Sequence, residues 1–132
     1  MEKSCGCIVF NNKKVLIVEQ KSGFCGFPKG HIEDNETEIE TAMRETKEET
    51  GIDVNIDKNK RYEISYLVHG NTPKTVVYYV AHTNNNDIKY QEDELNDAYF
   101  VDIEEVYNKL TFDNLKELWI EVLGDLNGKI NI

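Results

Sequence analysis

Positive charge is scarce in this 132-residue chain: 15 lysines and arginines stand against 25 aspartates and glutamates, a formal net charge of −10. That balance excludes a general binder of nucleic-acid backbones, which needs a basic face. A polyanionic ligand would need metal ions and a few placed cations to overcome such a field. Cysteine is sparse as well. Cys5, Cys7 and Cys25 are odd in number and form no CxxC pair. In a strand Cys5 and Cys7 point to one face, and a disulfide between i and i+2 is poor geometry. Reduced, buried thiols in a cytoplasmic protein are therefore expected. No apolar run reaches spanning length, no internal repeat, linker or low-complexity tract is seen, and neither a signal peptide nor a lipidation anchor is expected. What is left is one domain over 1–132, long enough to bury a core, with no membrane partner.

The chain is organised around Gly30 to Ile52, GHIEDNETEIETAMRETKEETGI. Asp34 and Asn35 are good N-caps, Glu38 follows as a capping box wants, and Gly51 suits the C′ position. The spacing predicts a helix from Glu36 to Thr50, with Ile39, Ala42, Met43 and Thr46 as its core-facing stripe. Glu45, Glu48 and Glu49 share a second face. Three carboxylates there repel one another and oppose the helix dipole. They are either a solvated acidic face or the oxygen ligands of a hard divalent cation.

Around this stretch, Cys5 to Phe10 and Lys14 to Glu19 read as a hairpin turned at Asn11-Asn12-Lys13. Gln20 to Gly26 reads as a loop, and Pro28 sends Phe27 extended into Gly30. Val54 to Ile56 reads as a short strand and Lys58-Asn59-Lys60 as a turn. Arg61 to Val68 is a strand with Tyr62, Ile64, Tyr66 and Val68 on one face. Gly70 to Pro73 is a turn cluster. Thr75 to Ala81, apolar on both parities, predicts a central strand covered on both sides. A weak strand at Ile88 to Gln91, an acidic loop at Glu92 to Asp97 and a strand at Ala98 to Asp102 follow. Ile103 to Leu110 is helical. Thr111 or Asp113 caps a last helix with Leu115, Leu118, Trp119, Val122, Leu123 and Leu126 inward. The pattern implies an α/β fold: a mixed sheet with helices on both faces.

The glycine, Glu36, the Arg44-Glu45 pair, Glu48-Glu49 and the closing Gly51 together resemble the Nudix box, the signature of Nudix hydrolases. Thr46 is the one departure, at a position where that family usually carries an aliphatic residue. The resemblance implies the Nudix α/β/α sandwich and hydrolysis of a nucleoside diphosphate linked to another group. It implies magnesium, with manganese as an alternative, held by Glu48 and Glu49, with Glu45 and the Gly30 carbonyl completing the shell. Arg44 and Glu36 would form an ion pair that fixes the loop–helix geometry. Glu94, with Glu92 and Asp93 as competitors, would be the extra metal ligand or base in a later loop.

The flanks, Phe27 to Glu33 and Pro73 to Tyr79, resemble the asymmetric diadenosine tetraphosphate hydrolases. In that subgroup a histidine and a tryptophan sit near the last strand, where this chain has Leu95 and Phe100. The likeness implies Lys74 on the phosphate chain, and Tyr66 or Tyr78 stacked on adenine, each tyrosine otherwise being strand packing. Lys29 and His31 are further candidates for phosphate contact, or are simply exposed. The alternatives are a nucleoside triphosphate pyrophosphohydrolase and a nucleotide-binding module without turnover. A monomer or weak homodimer acting on a small nucleotide is expected.

Overall fold

In the computed structural model, residues 2–130 are described, so the two ends of the expected 1–132 domain lie outside the described residues. Strands β1 (Glu2–Asn11) and β2 (Lys14–Gln20) form the first hairpin. Its turn needs a residue at positive φ, and Asn12, at 56°, supplies one; asparagine tolerates that region because its short amide bonds locally. Short strands β3 (Cys25–Gly26) and β4 (Lys29–His31) lead to helix α1 (Glu38–Thr50). Strands β5 (Asn55–Val68), β6 (Thr72–His82) and β7 (Leu95–Asp102) follow, then helices α2 (Ile103–Lys109) and α3 (Asp113–Ile130).

The sheet runs β3-β2-β1-β6-β5, with β4 paired to β1 and β7 to β2. The β1–β6 pair is parallel and the others are antiparallel, so the sheet is mixed. Because β6 lies between β1 and β5, its side chains feed two cores. Val76, Tyr78 and Val80 join Trp119, Leu118 and Val122 of α3 and Val106 of α2. Val77, Tyr79 and Ala81 join Ala42 of α1 with Cys5, Cys7 and Ile52. This is the sandwich with helices on both faces that a strand apolar on both parities requires. The cysteines are free, with Cys5 and Cys7 buried. No helix among the described residues is long and apolar enough to cross a membrane.

Several local expectations are corrected. The α1 cap is Thr37, not Asp34 or Asn35: its hydroxyl accepts from the Glu40 N–H at 3.1 Å while the Glu40 carboxylate accepts from the Thr37 N–H at 2.8 Å. Both halves of a capping box are satisfied two residues later than the spacing suggested, which leaves Glu36 outside the helix. Met43 is 43% exposed, whereas Ala42 and Thr46 are buried as expected, joined by Thr41 and Thr50. Lys58-Asn59-Lys60 is no turn but lies where the β5–β6 register shifts between Ile56 and Arg61. The tip of the β5–β6 hairpin is His69-Gly70, both at positive φ, and Pro73 already pairs with Leu67. Thr111 does not cap α3, since its hydroxyl accepts from the Cys25 N–H. Ile88 to Gln91 forms no strand. The Lys89 N–H donates to the Thr50 carbonyl at 2.9 Å and the Gln91 N–H to that of Glu49 at 3.0 Å. These carbonyls at the end of α1 have no helical partner and are met by this segment.

Candidate active site

The site begins with a glycine in the first strand. β4 lies against β1 with Gly6 opposite Lys29 and Cys5 opposite Gly30. The Pro28 carbonyl, which accepts from the Cys7 N–H, would lie 2.1 Å from a Cβ on Gly6. A glycine inside an apolar strand marks such a close backbone approach. Gly30 has the same role toward α1, since a Cβ there would lie 2.1 Å from the Glu45 carboxyl carbon. Two missing side chains thus let the 27–31 segment lie between sheet and helix. The Lys29 N–H donates to the Glu49 carboxylate at 3.1 Å.

Arg44 ties the segment down. Its guanidinium donates to Glu36 at 2.6 and 3.0 Å, to the His31 carbonyl at 3.0 Å, to Glu45 at 2.8 Å and to Glu48 at 3.2 Å. The expected Arg44–Glu36 pair is therefore present, within a wider cluster. Bonding from Arg44, then from the Thr41 hydroxyl and the Glu33 backbone, overrides desolvation and holds the Glu36 carboxyl down at about 2. A planar five-donor fork suits this multiple capture.

The carboxylates separate by environment. Glu49 is 5% exposed, and burial, followed by the charge of Glu45, pushes its carboxyl up to about 8. Burial also raises Glu45, against the pull of Arg44. Both line a cleft of about 360 Å³ together with Lys29, Gly30, His31, Glu33 and Glu94. Glu94 faces this cleft, whereas its competitors Glu92 and Asp93 do not line it. The Glu94 N–H donates to the Gln91 carbonyl, and Gln91 in turn donates to Glu49, so the acidic loop is fastened to the end of α1. Glu48 lies apart: its side chain is 48% exposed, paired with Arg44 and outside the cleft lining.

Among the described residues no group of three or more His, Cys, Asp or Glu side chains is gathered closely enough to hold a metal ion by itself. Glu45, Glu49 and Glu94 instead border an open cleft of hard oxygen donors, which suits a divalent cation that keeps waters and accepts phosphate oxygens. A carboxylate as buried and repelled as Glu49 has the chemistry to hold such a cation, which would offset its desolvation.

A second cavity of about 350 Å³ adjoins the first and has a mainly apolar lining that includes Phe24, Phe27, Ile64, Tyr66, Phe112 and Leu115. Gln20 and Lys29 line both. Tyr66 is half-buried on this wall. Tyr78, the other stacking candidate, is 1% exposed and meets Phe27 edge-on at 5.7 Å. It forms the floor and belongs to the core, so it offers no open ring face to a base. Lys74 stands opposite Tyr66 on the neighbouring strand and lines neither cavity. Its charge reaches Lys29, whose ammonium is pulled down first by burial and then by Lys74.

Phe24 and Phe112, 45% and 46% exposed with ring centroids 4.8 Å apart, border the apolar cavity and had no sequence signal of their own. Leu95 and Phe100, at the positions where the resembled subgroup differs, pack into the protein.

With this geometry established, the comparisons with known proteins agree with it. The family model described as NUDIX domain matches residues 2–122. The chain is 30% identical over 130 residues to the bis(5'-nucleosyl)-tetraphosphatase [asymmetrical] of Sus scrofa, covering 86% of this chain and 88% of that protein. The structure of a C. elegans Ap4A hydrolase binary complex superposes with a TM-score of 0.85 at 25% identity, over 97% of this chain and 99% of that one. A MutT protein from Bacillus halodurans shares the fold, with a TM-score of 0.78 at 24% identity over 93% and 82% of the two chains. The Arg44-centred loop–helix cluster and the match over nearly the whole chain lead to one statement: this protein belongs to the Nudix hydrolase family.

Proposed function

We propose that the protein hydrolyses diadenosine tetraphosphate asymmetrically to ATP and AMP, with magnesium, or manganese in its place, as the divalent ion. The observation that carries the reading is the joining of an acidic cleft to an aromatic cavity across Lys29 and Gln20. A nucleotide needs those two environments side by side, one for phosphate-bound cations and one for a base. The 30% identity to an asymmetric tetraphosphatase over most of both chains supports the choice of substrate.

Glu45, Glu49 and Glu94, with Glu48 and the Gly30 carbonyl, are the residues assigned to hold the ion. When bound, it neutralises phosphoryl oxygens and acidifies a bound water. Lys29, which lines both cavities, contacts the phosphate chain, and His31 on the cleft wall supports it. Lys74 adds a longer-range charge. The base enters the apolar cavity against Tyr66. Arg44 and Glu36 orient the segment, and Gly51 turns the chain out of α1 at φ 76°. Glu94 accepts the proton of the attacking water as its oxygen bonds to phosphorus, the anhydride P–O bond breaks, and ATP leaves.

One aromatic cavity beside the cleft takes one nucleoside, which a nucleoside triphosphate would fill equally well. Comparison of kcat/KM for diadenosine tetraphosphate with that for single nucleoside triphosphates tests the choice. The proposal expects the dinucleotide to be faster; faster release of pyrophosphate from triphosphates would replace it with the pyrophosphohydrolase reading.

A further inference from the structure

We infer that Gln20 reads the sugar of the bound nucleotide and makes the site prefer ribose to deoxyribose. The inference rests on the placement of base and phosphates proposed above. In a nucleotide the sugar lies between base and 5'-phosphate. If the base occupies the apolar cavity and the phosphates lie over the acidic cleft, the sugar must sit where the two meet. Gln20 and Lys29 are the residues that line both. An ammonium only donates and suits phosphate oxygens. A carboxamide both donates and accepts, which is what two vicinal hydroxyls require.

The backbone of Gln20 is held firmly in place. It is the last residue of β2, where the pairing with β7 shifts so that Glu19 faces Asp97 and Gln20 faces Leu95. Irregularities of this kind re-aim side chains beside active sites. The extra residue, Asn96, donates from its side-chain amide to the Gln20 carbonyl at 3.1 Å and to the Glu19 carboxylate at 3.0 Å. The Gly23 N–H donates to the same Gln20 carbonyl, and the Gln20 N–H donates to the Phe24 carbonyl, both at 2.8 Å. The main chain is thus fixed on both polar groups. Gln20 is exposed and its carboxamide bonds to no other described residue, so the amide can meet a sugar hydroxyl.

The test is calorimetric binding, in magnesium, of a methylene-bridged ATP analogue and of its 2'-deoxy and 3'-deoxy counterparts to wild type, Gln20→Met and Gln20→Asn. A neutral hydrogen bond lost to one hydroxyl predicts about fivefold weaker binding of at least one deoxy form to wild type. Gln20→Met should bring all three affinities to within about twofold of one another, as should Gln20→Asn, whose amide is one methylene short. Equal binding of the three by wild type overturns the inference. So does a Gln20→Met variant that keeps the wild-type ratio. Because the readout is binding, failure to cleave diadenosine tetraphosphate would count against the proposed function and leave the sugar ratio to be judged by itself. No measurable binding of any of the three overturns both.

Discussion

The backbone N–H of Lys29 donates to the carboxylate of Glu49 at 3.1 Å, joining the strand that carries the cleft's cation to the helix that carries its most buried anion. The bond does not compensate Glu49, since burial and Glu45 still hold its carboxyl up at about 8. The helix therefore carries, close to its end, a carboxyl whose ionisation is unfavourable for stability and favourable for cation binding. Glu48, one residue earlier, is exposed and paired with Arg44. The two neighbours should respond differently to neutralisation.

Glu49→Gln should raise the melting temperature of the metal-free protein near neutral pH, by about 1 kcal/mol or more in stability, because it removes a carboxyl whose ionisation burial and Glu45 oppose. Glu48→Gln should leave it nearly unchanged, because an exposed ion pair contributes little. Both variants should lose roughly a hundredfold or more in turnover, and magnesium should stabilise each less than wild type. Thermal melts with and without chelator, together with initial rates, check this. An Glu49→Gln protein that melts lower than wild type without metal would assign Glu49 a structural role.

Lys29→Met should cost about 1.5–3 kcal/mol in kcat/KM on the dinucleotide, the range for a charge-assisted contact, and Lys74→Met distinctly less. The ranking follows from Lys29 lining both cavities while Lys74 lines neither. Steady-state kinetics of the two variants decide it, and a larger loss at Lys74 would move the phosphate chain toward the hairpin.

Gly6→Ala places a Cβ 2.1 Å from a backbone carbonyl, which cannot swing away. A loss of about 1–3 kcal/mol in stability is expected from such overpacking. Gly30→Ala meets the side chain of Glu45 instead. The carboxylate can turn aside, so folding should survive while Glu45 leaves Arg44 and activity falls. Melting curves and rates of the two variants separate these outcomes.

Acid should unfold the protein through a contact remote from the cleft. The Glu38 carboxylate accepts from Arg61 at 2.8 and 2.9 Å and from the Tyr79 hydroxyl at 3.1 Å, and pairs with Lys3. These bonds, Arg61 first, hold it down at about 2. A carboxyl whose folded value lies below its unfolded value adds stability above the unfolded value and loses it as pH falls through the folded one. The window therefore runs from about pH 5 to about pH 2. Glu36 shares this direction. Glu38→Gln should make the decline shallower without abolishing it; an unchanged acid limb would show that Glu38 is not coupled to folding.

Much of this was legible in the chain. Arg44 and Glu36 form the pair the resemblance implied, and Glu45 and Glu49 meet in the cleft, because a helix face and a five-donor guanidinium leave few arrangements. Thr75 to Ala81 became an interior strand, between β1 and β5, because both of its parities are apolar. The cap at Thr37 was less legible, since Asp34, Asn35 and Thr37 are all competent caps and only packing selects among them. Gly6 carried a signal, a glycine inside an apolar strand. The role of 88–91 did not, because a strand-like segment that bonds to a helix end has the same local pattern as one that joins a sheet. Nor did the apolar cavity: Phe24 and Phe112 lie 88 positions apart in the chain (112 − 24) and meet only through the fold.

The central claim is asymmetric attack on the tetraphosphate chain, and the identity of the products tests it most directly. Diadenosine tetraphosphate hydrolysed in oxygen-labelled water should give equal amounts of ATP and AMP, with one labelled oxygen incorporated per molecule cleaved. Two molecules of ADP in place of that pair would contradict the account.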